Sequence, residues 1–167
     1  MIVQTLSPTA DGSIKQISYP SGAAHYNTKV GMDAGYWQTD TYVMQNPTRS
    51  GIITNVRVQI SSQARPNQEG YQKCKTAIYK SGNAIVYGSE MSPPSSVWTT
   101  YYTDYPLNPW TGVGWTWDHI DSLEAGPALK AYNEQHSYAE AYAPATALVV
   151  TSVVVGGGAQ IIGLSAW

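Results

Sequence analysis

Tryptophan and tyrosine are the residues in this sequence whose type and spacing are best suited to surface chemistry. The chain has six Trp and thirteen Tyr but no Phe, and four of the Trp fall close together between residues 98 and 117. These side chains combine a flat apolar ring with a polar group, and a flat ring is what a pyranose sugar stacks on. The candidates for such a glycan platform are Trp37, Trp98 and Trp110. Core packing is the alternative role for each ring.

Residues suited to catalysis do not form a recognisable set. The three histidines, His25, His119 and His136, lie in separate polar contexts, and none has a partner at metal-ligand spacing. No Gly-x-Ser-x-Gly elbow is present. The eleven acidic residues give no pair placed for glycoside hydrolysis. We therefore predict a non-enzymatic protein that needs no cofactor.

Three aspartates are the best candidates for a hard cation such as Ca²⁺, namely Asp104, Asp118 and Asp121. Aspartates at a helix start more often serve as caps and partners of the helix dipole, so no metal site is predicted. Cys74 is the one cysteine, and it lies in an alternating segment where a small buried thiol is expected. With a single cysteine, no intrachain disulfide can form.

Charge is sparse and excludes two classes of partner. Charged residues make up 12% of the chain, about half the usual share of roughly 25%. The net charge is −2 and the basic residues are scattered, which disfavours a nucleic-acid partner. No stretch reaches the roughly 18 apolar residues needed to cross a bilayer, and the N-terminus lacks a signal-peptide pattern. We expect a protein made in the cytoplasm, without membrane insertion, that is extracellular after release.

Short β-branched and aromatic runs between Gly, Pro and Asn predict an all-β protein. In the clearest run, Ile53–Ile60, apolar residues alternate with Asn55, Arg57 and Gln59. Strict alternation indicates a sheet with one wet face and antiparallel pairing. The segment Lys80–Asn83 is predicted to be a hairpin turn. The predicted strands are Ile2–Leu6, Ile14–Tyr19, Thr41–Gln45, Ile52–Ser61, Tyr71–Lys80, Ala84–Gly88, Thr99–Tyr105, Gly126–Ala131 and Thr146–Val155. Together they predict an antiparallel two-sheet jelly-roll sandwich.

One helical turn is predicted near residues 117–123, where Thr116 is a suitable N-cap. Ile120 and Leu123 are spaced to face the sheets. We expect Trp115 or Trp117 to be buried where this turn meets them. Helix is predicted for fewer than about 10% of the residues.

The C-terminal residues are predicted to form a separate tail. The jelly-roll domain is expected to cover residues 1–155, and residues 156–167 begin with three flexible glycines. The apolar side chains beyond the glycines must be buried, either on their own sandwich or on a neighbouring subunit. The Tyr-rich segment 132–144 is predicted to be a long loop or a two-stranded flap. We predict a homo-oligomer and favour a trimer. The candidate assembly residues are Tyr138, Tyr142, Ile161, Ile162, Leu164 and Trp167.

The segment 108–126 is the most specific in the chain. It resembles a motif of jelly-roll modules in tailed-phage virion proteins and microbial surface proteins. That motif runs roughly Asn-Pro-x-Thr-Gly-x-x-Trp-Thr, then a short helix ending Asp-x-Leu-Glu-x-Gly, then a strand. Looser matches extend the resemblance over roughly residues 6–155, at Leu6–Gly12, Thr41–Val43, Ile53–Val58 and Tyr101–Thr103. The resemblance implies an adhesive module at a particle surface and supplies no catalytic residues.

Three hypotheses about function follow. The leading one is a virion structural protein, an outer subunit such as a head decoration, a head fibre or a small tail component, with other virion proteins as partners. The alternative is a carbohydrate-binding module that uses exposed Trp and Tyr. The two overlap if the subunit also binds host glycans. A cellular surface-layer or filament component is a further alternative.

Overall fold

Ten β-strands and one short α-helix make up the part of the chain that the structure describes. The computed structural model describes residues 1–17, 29–30, 36–64, 71–132 and 141–154. In chain order the elements are β1 (Ile2–Leu6), β2 (Pro8–Lys15), β3 (Lys29–Val30), β4 (Gln38–Met44), β5 (Ile52–Ala64), β6 (Tyr71–Tyr79), β7 (Val86–Tyr87), β8 (Thr99–Tyr105), α1 (Trp117–Asp121), β9 (Glu124–Tyr132) and β10 (Ala141–Val153).

The strands pair into two sheets of five strands each. Sheet A has the order β1-β10-β5-β8, with β3 also pairing with β10, and sheet B has the order β2-β4-β9-β6-β7. All pairs between these strands are antiparallel. The predicted turn at Lys80–Asn83 joins β6 to β7, and the Asn83 N–H donates to the Lys80 carbonyl oxygen over 3.0 Å. The prediction of an antiparallel two-sheet sandwich with one helical turn is confirmed.

The core lies between the inner faces of the two sheets. On β5, Val56, Val58 and Ile60 are almost completely buried, on the side that the sequence pattern indicated. Successive side chains of a strand point to opposite faces. The residues between them, including Arg57 and Gln59, therefore project from the outer face of sheet A.

β10 begins earlier than its sequence predicted. Ala141 and Ala143 are buried on the inner face, but their side chains are too small to give the hydrophobic signal of a core strand. Pro144 lacks the N–H of a ladder residue, and the pairing register with β5 shifts around it, as at a β-bulge. The prediction of a loop or flap over 132–144 is therefore wrong at both ends of this range, because Tyr132 belongs to β9 and residues 141–144 belong to β10.

β2 also differs from its prediction, because it covers Pro8–Lys15 rather than residues 14–19. Its pairing with β4 is interrupted by two register shifts. Gly12 lies where a side chain would collide, since an added Cβ would be 2.6 Å from the carbonyl oxygen of Thr41. Asp11 and Gly12 thus belong to an irregular strand.

The segment that resembles virion modules forms a corner of the sandwich between β8 and α1. The Asn108 carbonyl oxygen accepts the N–H of Gly112 at 2.8 Å, and its side-chain oxygen accepts the N–H of Trp110 at 3.0 Å. Gly112 has a φ of 72°, a value that favours glycine. Trp115 is only 5% exposed, and its Nε1 donates to the Tyr105 carbonyl oxygen at 2.8 Å. The specific residues of this segment therefore hold the corner together.

The helix α1 begins with a reciprocal cap. The His119 N–H donates to the Thr116 hydroxyl at 3.3 Å, and the Thr116 N–H donates to His119 Nδ1 at 3.2 Å. This is a capping box in which histidine takes the place of the usual Glu or Gln. Ile120 and Leu123 are buried in the core cluster, and Trp117 packs against it half-buried.

Several predictions fall outside the described residues. They concern the tail after residue 155 and five candidate assembly residues, Tyr138, Ile161, Ile162, Leu164 and Trp167. The backbone of Tyr142 lies in β10, but its side chain is not among those described. The trimer and the domain boundary at residue 155 stay predictions. Within the described residues, no helix has the length and apolar character required to span a bilayer.

Candidate functional site

A row of four side chains projects from the outer face of sheet A along β8. Thr100, Tyr102 and Asp104 alternate with inward residues of this strand. Trp98, one residue before the strand, continues the same alternation. Trp98 is 49% exposed and Tyr102 is 54% exposed. Four residue steps place Trp98 and Tyr102 about 13 Å apart along the backbone, so the two exposed aromatic side chains are the first and third members of one row.

The neighbouring strand β5 supplies a polar row beside the aromatic one. Gln59 lies directly opposite Tyr102, and Ser61 lies opposite Thr100. Gln63 follows Ser61 by two residues on β5, so it lies on the same outer face. One amide therefore stands opposite Tyr102, and a second lies further along the same face. Amides can donate and accept hydrogen bonds at the same time, as hydroxyl groups of a ligand require.

Arg57 supports Tyr102 from one side. Its guanidinium carbon lies 4.1 Å from the centre of the Tyr102 ring. Its Nε and one terminal nitrogen each donate to Asp104 over 2.8 Å, and Asn55 donates to the same carboxylate over 2.6 Å. Because Arg57 is opposite Asp104 in the register, it approaches the ring from the Asp104 side. With Arg57 against it, the Tyr102 side chain is still 54% exposed.

The ion pair also sets the local charge. The hydrogen bond from Arg57 is the largest cause that lowers the pKa of Asp104 from its ordinary 3.8. The same hydrogen bond raises the pKa of Arg57. Both groups are therefore ionised at neutral pH, and their charges cancel within the row.

A shallow depression lies beside this row. It has a volume of about 150 Å³, and its lining residues are Gln59, Ile60, Ser61, Thr100, Thr146 and Ala147. Thr100, one of these residues, lies midway between Trp98 and Tyr102 in the row. The combination of flat rings, amides, hydroxyls and a depression beside them suits a ligand with apolar ring faces and polar edges.

The other two platform candidates occupy different positions. Trp110 is half-buried and lies 6.4 Å from Trp115 in an edge-to-face contact, and its Nε1 donates to the Ala84 carbonyl oxygen at 2.8 Å. Its ring therefore serves the corner. Trp37 precedes β4 on the outer face of sheet B, where Lys75 Nζ lies 4.1 Å from its ring centre. Tyr102, which was not among the candidates, takes their place beside Trp98.

The three aspartates considered for a metal are engaged in ion pairs. Asp104 binds Arg57, whereas Asp118 and Asp121 both contact Arg49 on the helix side of the molecule. Among the described residues, no three acidic, histidine or cysteine side chains are grouped as metal ligands. Cys74 is buried, and this burial raises its pKa to about 11. The thiol is therefore protonated and a poor nucleophile.

Comparison with known proteins identifies the fold but no family. No family model matches the chain, and no curated protein matches it. A solved structure of the xylan-binding module CBM15 superposes with a TM-score of 0.51 at 6% identity, covering 90% of this chain and 97% of that module. The CBM22-1 xylan-binding domain of Paenibacillus barcinonensis Xyn10C gives a TM-score of 0.37 at 10% identity, covering 87% of this chain and 99% of that domain. The CBM15 match shows that this chain has the jelly-roll sandwich fold of that binding module.

The leading prediction of a virion structural protein is wrong. A solved structure that shares this fold is a xylan-binding module, which favours the alternative that the sequence left open. The motif at 108–126 misled the functional prediction because its residues build a corner of the fold, as described above. Such a corner therefore indicates the sandwich fold and carries no information about the ligand.

Proposed function

We propose that this chain is a carbohydrate-binding module whose binding site is the outer face of sheet A. The single observation that carries the proposal is the pair of exposed rings, Trp98 and Tyr102, on one face with the amide of Gln59 opposite Tyr102. Aromatic side chains supply large apolar contact area while keeping a polar group available. The fold shared with the xylan-binding module CBM15 supports the same function.

The ligand expected at this face is uncharged. In the paired part of β5 and β8, Arg57 and Asp104 are the charged residues of the outer row, and they neutralise each other. An anionic sugar would have to compete with Asp104 for Arg57 and would be repelled by the Asp104 carboxylate. A neutral polysaccharide meets no such penalty.

The ligand is also expected to be an extended chain. The two aromatic residues are about 13 Å apart along the backbone, which exceeds the length of a single pyranose ring. A monosaccharide can therefore contact only one of them, whereas an oligosaccharide can contact both and cover the depression beside them. We expect affinity to rise with chain length until both Trp98 and Tyr102 are covered.

The contribution of Tyr102 can be sized from its exposure. A tyrosine side chain presents on the order of 200 Å², and 54% of it is exposed. A sugar that covers one ring face removes roughly half of that exposed area, about 55 Å², which corresponds to about 1.4 kcal/mol. Replacing Tyr102 with Ala should therefore weaken binding by about tenfold.

Isothermal titration with neutral oligosaccharides tests the proposal, with xylan fragments as the first series. Tyr102→Ala and Trp98→Ala should each weaken binding of the long oligosaccharides and flatten the dependence on length. Tyr36→Ala is the matched control, since Tyr36 is 61% exposed and lies before β4 of sheet B. Failure of the parent protein to bind any neutral linear polysaccharide would overturn the proposal. So would equal losses in the Tyr102 and Tyr36 variants.

A further inference from the structure

The outer face of sheet B carries a different set of side chains. On this face Lys73 of β6 lies directly opposite Lys130 of β9, and Lys75 follows two residues along β6. Glu90 is in contact with Lys73, at 3.5 Å. The carboxylate of Glu124, further along the face, accepts hydrogen bonds from Ser13 and Thr41. Three ammonium groups therefore cluster on one face of a chain whose net charge is negative.

Lys73 is already engaged in the protein, since its Nζ donates to the Ser92 hydroxyl over 2.8 Å and lies 3.5 Å from Glu90. Lys73 and Lys75 nevertheless carry two positive charges against the single carboxylate of Glu90 that contacts Lys73. Charge complementarity of this kind favours an anionic ligand.

Tyr87 provides a flat ring beside the lysines. It lies on the edge strand β7, yet its hydroxyl is 3.1 Å from the hydroxyl of Thr39 on β4. β7 and β4 are three strand spacings apart, about 14 Å. The Tyr87 side chain must therefore lie along the surface of the sheet for its hydroxyl to reach Thr39. The residues beneath it, Ala77, Gly126 and Ala128, have small side chains or none. Ala77 and Ala128 are fully buried although neither belongs to a core cluster. Tyr87 itself is 41% exposed, and its upper ring face is open.

Lys75 is held next to this ring by a second aromatic side chain. Its Nζ lies 4.1 Å from the centre of the Trp37 ring, which is a cation–π contact. Because Tyr87 is opposite Ala77, and Lys75 is two residues from Ala77, the ammonium and the phenol are neighbours on the face. An aromatic ring and a positioned positive charge thus stand side by side.

We propose that the outer face of sheet B is a second glycan site, which takes an acidic polysaccharide with uronic acid units. A pyranose ring stacks on Tyr87, and its carboxylate binds the ammonium groups of Lys73 and Lys75. This site shares no residue with the outer face of sheet A. It therefore stands or fails independently of the proposed function.

The test uses the whole chain and three polymers: polygalacturonate, neutral linear xylan and polyglutamate. Polygalacturonate should bind with an affinity that falls as salt rises, because exposed charges are screened. Polyglutamate carries the carboxylates without the sugar and should bind much more weakly. Equal binding of polyglutamate and polygalacturonate would overturn the proposal, since charge alone would then explain the interaction.

Variants assign the binding to this face. The double variant Lys73→Gln and Lys75→Gln should weaken polygalacturonate binding by about tenfold or more, whereas the charge-matched control Lys15→Gln with Lys80→Gln should not. Tyr87→Leu, which still covers the small residues beneath, should also weaken it, while Tyr102→Ala should leave it unchanged. Circular dichroism checks that each variant is folded. Equal losses in both lysine pairs, or no loss in either, would refute the assignment.

Discussion

Replacing Trp115 with Ala should strongly destabilise the fold, because this ring joins the corner segment to the core. The side chain is 5% exposed and packs edge-to-face against Trp110 at 6.4 Å and against His119 at 6.3 Å. Truncation of a buried Trp to Ala costs about 3–5 kcal/mol. The Tyr105 carbonyl oxygen would also lose its donor, which adds about 1 kcal/mol. We expect a loss of about 4–6 kcal/mol in the free energy of unfolding.

Thermal unfolding followed by circular dichroism measures this loss. For a chain of this size, 1 kcal/mol lowers Tm by about 2–4 °C, so Trp115→Ala should lower Tm by about 10–20 °C. Trp115→Phe keeps an aromatic ring but removes the indole donor, and it should cost about 1–3 kcal/mol. If Trp115→Ala melts within about 2 °C of the parent protein, the corner does not depend on this ring and the packing described here is wrong.

Two further predictions concern ionisable groups. Burial raises the pKa of the Cys74 thiol to about 11, so iodoacetamide should leave the native protein unmodified at pH 8 and react after unfolding in urea; rapid modification of the native protein would contradict this. The pKa of Asp104 is lowered, mainly by its hydrogen bond from Arg57, so the ion pair that supports Tyr102 is intact above the ordinary value of 3.8 and is lost as pH falls through the lowered value. Binding of neutral oligosaccharide should therefore weaken only in strong acid. Asp104→Asn should remove this loss of binding at low pH. If the variant still shows the same loss, another group causes it.

The alternation in β5 predicted the polar half of the candidate site correctly. Val56, Val58 and Ile60 indicated which way this strand faces, and Arg57 and Gln59 accordingly lie outside. The partner strand was not predictable in the same way. Pairing between β5 and β8 joins segments about forty residues apart, and the alternation within each strand does not say which strand is its partner.

The aromatic half of the site was predicted only in part. Trp98 was a candidate, but Tyr102 was overlooked among Tyr residues of the same strand. The sequence did contain a signal for Tyr102. Tyr101 and Tyr105 lie on one face of the strand, whereas Tyr102 lies on the other face together with the charged Asp104. The position of Trp110 was not predictable from local sequence, because its hydrogen bond to Ala84 joins residues that are distant in the chain.

The position of β10 has a consequence for how the chain folds during synthesis. This strand is the last in the described sequence, yet it lies between β1 and β5, and Ile2 pairs with Ser152. A ribosome adds about 5–20 residues per second, so β1 waits several seconds for the strand that it pairs with. Contacts this distant in sequence slow folding to the range of milliseconds to seconds. During that interval β1 and one side of β5 are unpaired edges, which makes the nascent chain most prone to aggregation just before Val153 emerges.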